Sequence, residues 1–303
     1  MAVMKPAKPF LKWAGGKTQL LNDIDDNLPP EIKKNGILNY YEPFLGSAAV
    51  FLFLKHKYGI RNAYLFDINS NLISTFKTVQ NQTVSLIKEL KLLDREFKSK
   101  NNEQRKIYYN TRREEFNNLL LSVNQKGRQK LIRKAALTIF LNRTCFNGLY
   151  RVNRAGQFNV PFGRYENPRI LDEENLLAVS EALKNVLLEF RSFKTLPEVV
   201  KKDAFIYYDP PYSPLNKTSN FTSYNEFEFS LNEQEELAKV YSLLDKKGIK
   251  QLLSNADLKN NDLQNDFHDN LYSKYTIRRI SASRVINSKA TKRGKISEIL
   301  VRN

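Results

Sequence analysis

The amino-acid sequence predicts an α/β fold with a mostly helical insertion, and three observations predict it. Short apolar runs ending on a charged or turn residue recur along the chain, as the strands of an α/β sheet do. A stretch of helical periodicity and dense charge, residues 76–195, separates the second of these runs from the third. Within it, LYRVNRAGQFNVPFGRY has the pattern of a hairpin, two short strands about a turn at Arg154, Ala155 and Gly156. Residues 1–75 and 196–303 then form one domain, and 76–195 a domain inserted into it.

The strand-like runs are Asn39 to Tyr41 before Glu42, Ala63 to Phe66 before Asp67, Ala204 to Tyr208 before Asp209, and Ile249 to Leu253 before Ser254. Ligands of open α/β sheets sit at the carboxyl ends of the strands, so Glu42, Asp67 and Asp209 are expected to converge on one crevice. In the insertion, Leu176, Val179, Leu183, Val186 and Phe190 recur at three or four residues, which predicts one amphipathic helix packed on a core. Gln125 to Lys134 carries five basic residues in ten, and Lys274 to Lys295 holds eight Lys or Arg and no acid before the strand-like ISEILV. A run so free of acids suits a flank along DNA phosphates.

Composition narrows the class of function. With 303 residues, 41% of them hydrophobic, the chain can bury a sizeable core. Forty-nine Lys and Arg against thirty-two Asp and Glu leave a formal net charge of +17, which favours a polyanionic partner. One cysteine, Cys145, and two histidines, His56 and His268, build neither a disulfide framework nor a Cys/His metal cluster, so no metal is expected and Cys145 reads as core filler. The longest apolar run, Ala48 to Leu54, is far short of a membrane span, and MAVMKPAKPFLKWAGGK lacks a signal-peptide core. A reducing compartment that contains nucleic acid is expected.

DPPY at Asp209 to Tyr212, directly after FIYY, is the most informative tetrapeptide. The lone pair of an exocyclic amine is delocalised into its ring, so the amine becomes nucleophilic only when its hydrogens are held by acceptors. Asp209 supplies one acceptor and the Pro210 carbonyl another, aimed at charge that develops during transfer. Pro210 and Pro211 lock the backbone that points this carbonyl, and Tyr212 offers a ring on which an extruded base can stack. FLKWAGGKTQLL, Phe10 to Leu21, ends like a phosphate loop but has Leu11 where its first glycine belongs, and no strand precedes it. YYEPFLGSAAVF, Tyr40 to Phe51, has the order strand, glycine turn and helix that holds the amino-acid or phosphate end of a nucleoside. Its one glycine is Gly46, and Asp67 further on suits a ribose hydroxyl.

KWAGGK, EPFLGS, DINSNLI, LNRTCFNGLYRVNRAGQFNVPFGRY, DPPY and SPLNKTSNFTSYNEFEF, in this order, resemble the Dam-type DNA adenine-N6 methyltransferases over nearly the whole chain. The resemblance implies a Rossmann-like S-adenosylmethionine-dependent methyltransferase sheet with an inserted, mostly helical DNA-recognition domain carrying a β-hairpin. It implies S-adenosyl-L-methionine as cofactor and methyl transfer to N6 of an adenine flipped out of double-stranded DNA, within GATC. Cofactor contacts then fall on Trp13, Lys17, Phe44, Gly46, Asp67 and Asp209, the indole by packing and the Lys17 ammonium by pairing with a carboxylate. Asp209, Pro210, Pro211 and Tyr212 form the catalytic motif.

For DNA, the resemblance implies that Arg151 reads a guanine, that Phe146 wedges beside the flipped adenine with Asn147 next to it, and that Leu149 and Pro161 touch the outer base pair. Lys12 and Tyr165 face the first guanine; Arg143, Asn153, Asn159 and Arg164 hold phosphates. The rest of what it implies is a monomer in a prokaryotic or phage-infected cytoplasm, at the nucleoid, and INSKATKRGKISEILV is closer to nuclease-associated members. Two positions depart from the pattern: Phe146 stands where Tyr is common, and Ala48 where the turn often has a second glycine, a change expected to weaken cofactor affinity. The competing readings are transfer to cytosine N4 or to RNA adenine, and a non-catalytic DNA-binding relative. Ser in place of Asp209 is commoner in the cytosine enzymes, and cofactor binding separates the last.

Overall fold

In a computed structural model the described residues are 5–121, 127–212, 229–260, 262–283 and 295–303. Among them seven strands form one sheet: β1 Asn39–Glu42, β2 Asn62–Asp67, β3 Val186–Phe190, β4 Ala204–Tyr208, β5 Lys250–Ala256, β6 Thr276–Ser283 and β7 Lys295–Arg302. Their order across the sheet is β3-β2-β1-β4-β5-β7-β6. The pairs from β3 to β5 are parallel, while β7 runs antiparallel to both β5 and β6. This is an open Rossmann-like sheet, whose chain order reverses direction between β1 and β4, so a crevice opens there at the carboxyl ends.

The helices are α1 Leu21–Asp26, α2 Pro30–Asn35, α3 Ala49–Tyr58, α4 Ser70–Asn81, α5 Thr83–Lys98, α6 Asn102–Leu121, α7 Arg128–Thr144, α8 Glu173–Ala182, α9 Leu196–Val199, α10 Leu231–Lys246 and α11 Phe267–Leu271. Both faces of the sheet are covered, which is why the strands read as unbroken apolar runs. Tyr40, Leu65, Phe205, Tyr207 and Leu252 face one core, whereas Tyr41, Phe66, Ile206, Tyr208 and Leu253 face the other against Leu237, Tyr241 and Leu244 of α10. The first core does not stop at the sheet. It continues through Phe76 and Val79 of α4 into Leu86, Leu90, Leu93 and Phe97 of α5 and Leu137 and Phe140 of α7.

The sequence expectation fails at one helix. α8 ends at Ala182, and Val186 to Phe190 is strand β3, paired in parallel with β2. Asn185 takes a left-handed φ of 60° between the end of the helix and the strand, and burial then alternates over Val186 inside, Leu187 outside and Leu188 inside, with Phe190 exposed at the strand end. Three- and four-residue spacing across the break is coincidental, and the sheet resumes inside the 76–195 stretch. The hairpin is present as bridges at Val152 with Phe158 and Cys145 with Phe162, and Gly156 N–H donates to the Asn153 carbonyl at 2.9 Å to close the turn. Cys145 is fully buried, as core filler should be.

The basic runs are partly internal. Arg133 of α7 reaches Glu115 of α6 at 2.6 Å and Glu89 of α5 at 3.0 Å, tying three helices together. Arg279 on β6 pairs with Asp257 and Asp269. Gln125, Lys126, Lys292, Arg293 and the segment following DPPY up to Glu228 lie outside the described residues. No described helix is long and apolar enough to cross a membrane.

Candidate active site

β1, β2 and β4 deliver Glu42, Asp67 and Asp209 to the same edge, where the three carboxylates influence one another electrostatically. Glu42 is buried, accepts a hydrogen bond from Tyr40 Oη at 2.6 Å, and is pushed up to about 8 by burial, with Asp209 and Asp67 adding to the shift. Asp67 is pushed up to about 6 by burial, against backbone N–H groups that favour its charged form. Asn69 N–H donates to Oδ1 at 2.9 Å and Gly46 N–H to Oδ2 at 3.2 Å. The Asn69 side chain caps α4 by accepting from Leu72 N–H at 3.0 Å. The motif DINSNLI is therefore a strand end, a carboxylate clamp and a helix cap in succession.

The turn between β1 and α3 packs under Trp13. Gly46 has φ of 47°, which favours glycine, and a Cβ there would press on the indole, 3.1 Å from its Cδ1. Ala48 also sits in the left-handed region, φ 59° and ψ 25°, as the residue before α3. A second glycine would suit that position because of its backbone. Alanine there stores strain of about 1 kcal/mol.

Lys17, 3% exposed, lies at the centre of the site. Its Nζ is 2.6 Å from Asp209 Oδ1 and donates to Tyr212 Oη at 2.9 Å and to the Gly15 carbonyl at 3.1 Å, which uses all three of its hydrogens. The carboxylate that Lys17 pairs with is thus the chain's own. Burial disfavours its charge, yet Asp209, Tyr207, Tyr212 and Glu298 hold the ammonium protonated, well above its ordinary range. Burial pushes the Asp209 carboxyl up, and Lys17 pulls it back. Ser254 Oγ, 2.8 Å from Tyr207 Oη, donates to Asp209 Oδ1 at 3.4 Å. Among the described residues both partners of Asp209 engage Oδ1, and none engages Oδ2. Pro210 is buried, Pro211 exposed, and the Tyr212 ring 38% exposed.

A cleft of about 570 Å³ lies between the segment around Trp13 and the hairpin, lined by Lys12, Trp13, Gly16, Ser47, Arg143, Asn147, Leu149 and Tyr165 among others. Trp13 stacks on Tyr150 at 5.5 Å, and Lys12 Nζ sits 4.6 Å over the Tyr165 ring. Arg143 donates to the Phe10 carbonyl at 2.8 Å. Phe146 is half exposed, followed by Asn147 with φ of 55°. Arg151, also exposed, is braced by Asn159, whose side-chain oxygen accepts from Nε at 2.7 Å. Pro161 and Arg164 are exposed, while the Asn153 side chain accepts from Ala155 and Gln157 N–H and so builds the turn itself.

Sequence reasoning placed Lys17, Asp67, Asp209 and Tyr212 here and missed Glu298, Ser254 and Tyr207. Glu298 carried one signal, an acid inside the otherwise apolar ISEILV. The donor set fits a nucleoside with a cationic centre: each Asp67 oxygen keeps a lone pair for a hydroxyl, and the half-buried Phe44 offers a face beside Phe193 and Phe229, at 5.5 and 5.6 Å. Among the described residues no group of His, Cys, Asp or Glu is arranged to hold a metal ion.

The comparisons agree with this geometry. The family model described as D12 class N6 adenine-specific DNA methyltransferase matches residues 13–286. The type II methyltransferase M.MjaIII of Methanocaldococcus jannaschii is 46% identical, covering 98% of this chain and 99% of its own. Type II methyltransferase M1.LlaDCHI of Lactococcus lactis is 36% identical over 98% and 95%, and the DNA adenine methylase of Escherichia coli K12 is 35% identical over the same shares. A carboxylate-bearing DPPY at the end of β4, on a chain matched along nearly its whole length, leads to one conclusion: this chain belongs to the D12 class of N6 adenine-specific DNA methyltransferases.

Proposed function

We propose that the chain transfers a methyl group from S-adenosylmethionine to N6 of an adenine flipped out of duplex DNA, within GATC. The observation that carries this reading is Asp209 at the end of β4, held through Oδ1 by Lys17, with Oδ2 unengaged by the described residues. When bound, the cofactor supplies an electrophilic methyl group on a sulfonium. Asp67 receives its ribose hydroxyls, while Trp13, Phe44 and the Gly46 turn shape the surrounding wall. Asp209 Oδ2 and the Pro210 carbonyl hold the two N6 hydrogens, so that the nitrogen lone pair turns towards the methyl carbon. Methyl transfer would leave N6 with one proton to lose, and the Asp209 carboxylate, already the acceptor of that hydrogen, would take it. The Tyr212 ring stacks on the extruded base, its hydroxyl fixed from behind.

Residues 76–195 apart from the sheet strand β3 serve recognition in this reading, and 1–75 and 196–303 together with β3 serve catalysis. Phe146 fills the gap in the stack, with Asn147 and Leu149 beside it. Arg151, held in plane by Asn159, pairs with guanine O6 and N7, as an arginine fork is shaped to do. Lys12, Tyr165 and Pro161 border the remaining pairs, and Arg143, Asn153 and Arg164 lie along the phosphates. Modification-sensitive sequencing of DNA from cells expressing the chain tests this, since it reports base, atom and context together. N6-methyladenine confined to GATC is expected. N4-methylcytosine, or methyladenine in another context, would overturn the substrate or the site.

A further inference from the structure

β7 passes back across the sheet between β5 and β6 and brings Glu298 to the catalytic edge. Its side chain is 7% exposed, a costly place for a carboxylate unless its oxygens are used. Oε1 accepts from Tyr212 Oη at 2.9 Å, and Tyr212 Oη in turn accepts from Lys17 Nζ at 2.9 Å. Oε2 lies 3.6 Å from that ammonium and has no hydrogen-bond partner among the described residues. The shortfall follows from Lys17 having given its three hydrogens to Asp209, Tyr212 and Gly15. The phenol is therefore held from two sides with a single direction of donation, from Lys17 to Tyr212 to Glu298.

We propose that Glu298 is a positioning residue for methyl transfer: it accepts the Tyr212 hydroxyl, fixes the plane of the ring, and keeps Lys17 turned to Asp209. The inference rests on the reading of Asp209 and Tyr212 as the catalytic motif. Its physical content is geometric. A phenol held by Lys17 alone can swing about its ring axis, and the ammonium that donates to it can follow it away from Asp209. An offset of about 1 Å at a reacting group costs up to roughly a hundredfold in rate. Because the described contacts of Glu298 in the site are to Tyr212 and Lys17, its effect on substrate passes through them, and its loss should appear in turnover and leave the Michaelis constants nearly unchanged.

The test is a double-substitution cycle on the full chain with a GATC duplex, comparing Glu298→Leu, Tyr212→Phe and the pair, with kcat, both KM values and the thermal midpoint measured for each. Each single change should lower kcat by about tenfold to a hundredfold, and the pair should lower it no further than Tyr212→Phe alone. Glu298→Gln, which keeps an acceptor for the hydroxyl, should restore most of the rate. Additive losses in the pair, or a change confined to KM, would overturn the proposal. If Glu298→Leu does not fold, Tyr212→Phe still decides: wild-type turnover without the hydroxyl removes the reason for Glu298. Tyr212→Ala and Asp209→Ala separate the two layers, because full activity in both sinks the catalytic reading, whereas collapse in both with an indifferent Tyr212→Phe sinks only the role of Glu298.

Discussion

Gly46 N–H donates to Asp67 Oδ2 at 3.2 Å, joining the turn after β1 to the end of β2 across 21 residues of sequence. The bond makes the shape of the glycine turn and the charge of Asp67 one object. Asp67 titrates near about 6, and only its ionised form accepts from both a backbone N–H and a ribose hydroxyl without a competing proton. The KM for S-adenosylmethionine should therefore rise below pH 6, by up to about tenfold per unit, and flatten above it. Asp67→Ala should raise KM more than it lowers saturated turnover, and should abolish that pH dependence. Initial rates between pH 5 and 8 decide it; a collapse of saturated turnover with unchanged KM would remove Asp67 from this role.

Glu42 gives a stability prediction. Its carboxyl is pushed up to about 8 in the folded chain by burial and neighbouring acids. The native state therefore holds a proton that the unfolded chain releases near about 4.3. The stability this contributes is complete below that value and is lost as pH rises through 8. Glu42→Gln keeps an acceptor for Tyr40 and has no proton to lose, so its thermal midpoint should fall less than that of the wild type between pH 5 and 8.5. Parallel curves would show that Glu42 titrates normally.

Asp209→Ala should nearly abolish methyl transfer while duplex binding survives, since the phosphate contacts lie on the hairpin side of the cleft. Glu298, 3.6 Å from Lys17 in the native chain, still offers the ammonium a partner, so the stability loss should fall short of the roughly 3–5 kcal/mol of an orphaned buried ion. Parallel loss of binding and turnover, measured by gel shift and rate, would count against this division of labour.

Arg151→Ala should relax discrimination at one guanine by about tenfold to a hundredfold, the value of a lost bidentate contact. Asn159→Ala should relax the same position less, because it removes only the brace. Methylation rates on duplexes carrying each single change of GATC are the measure. A uniform slowing at every site would make Arg151 a phosphate or structural residue instead.

What the sequence disclosed follows from what burial does to a pattern. β1, β2, β4 and β5 were legible because both of their faces are covered, leaving apolar runs that stop abruptly at Glu42, Asp67, Asp209 and Ser254. β3 was not, since Val186 and Phe190 continue the spacing of α8 and only the backbone of Asn185 interrupts it. Lys17 and Asp209 were both visible as site residues, but their pairing was not, because spacing carries no information about which of several acids an ammonium meets. Glu298 was hidden for a related reason: whether a strand residue faces the site depends on the register of β7 against β5, and that register is set by contacts rather than by its own letters.

The unbroken core that runs from the sheet through α4 into α5 and α7 bears on how target choice can diversify in such enzymes. Grafting residues 76–195 from one relative onto the sheet of another would cut through interlocked apolar side chains, and the chimera would have to repack both halves. The hairpin offers a cleaner seam. Val152, Phe158 and Val160 are anchored inside while Phe146, Arg151 and Pro161 project outward, so if the proposed reading of the hairpin holds, new target letters can be exchanged on a frame that stays in place.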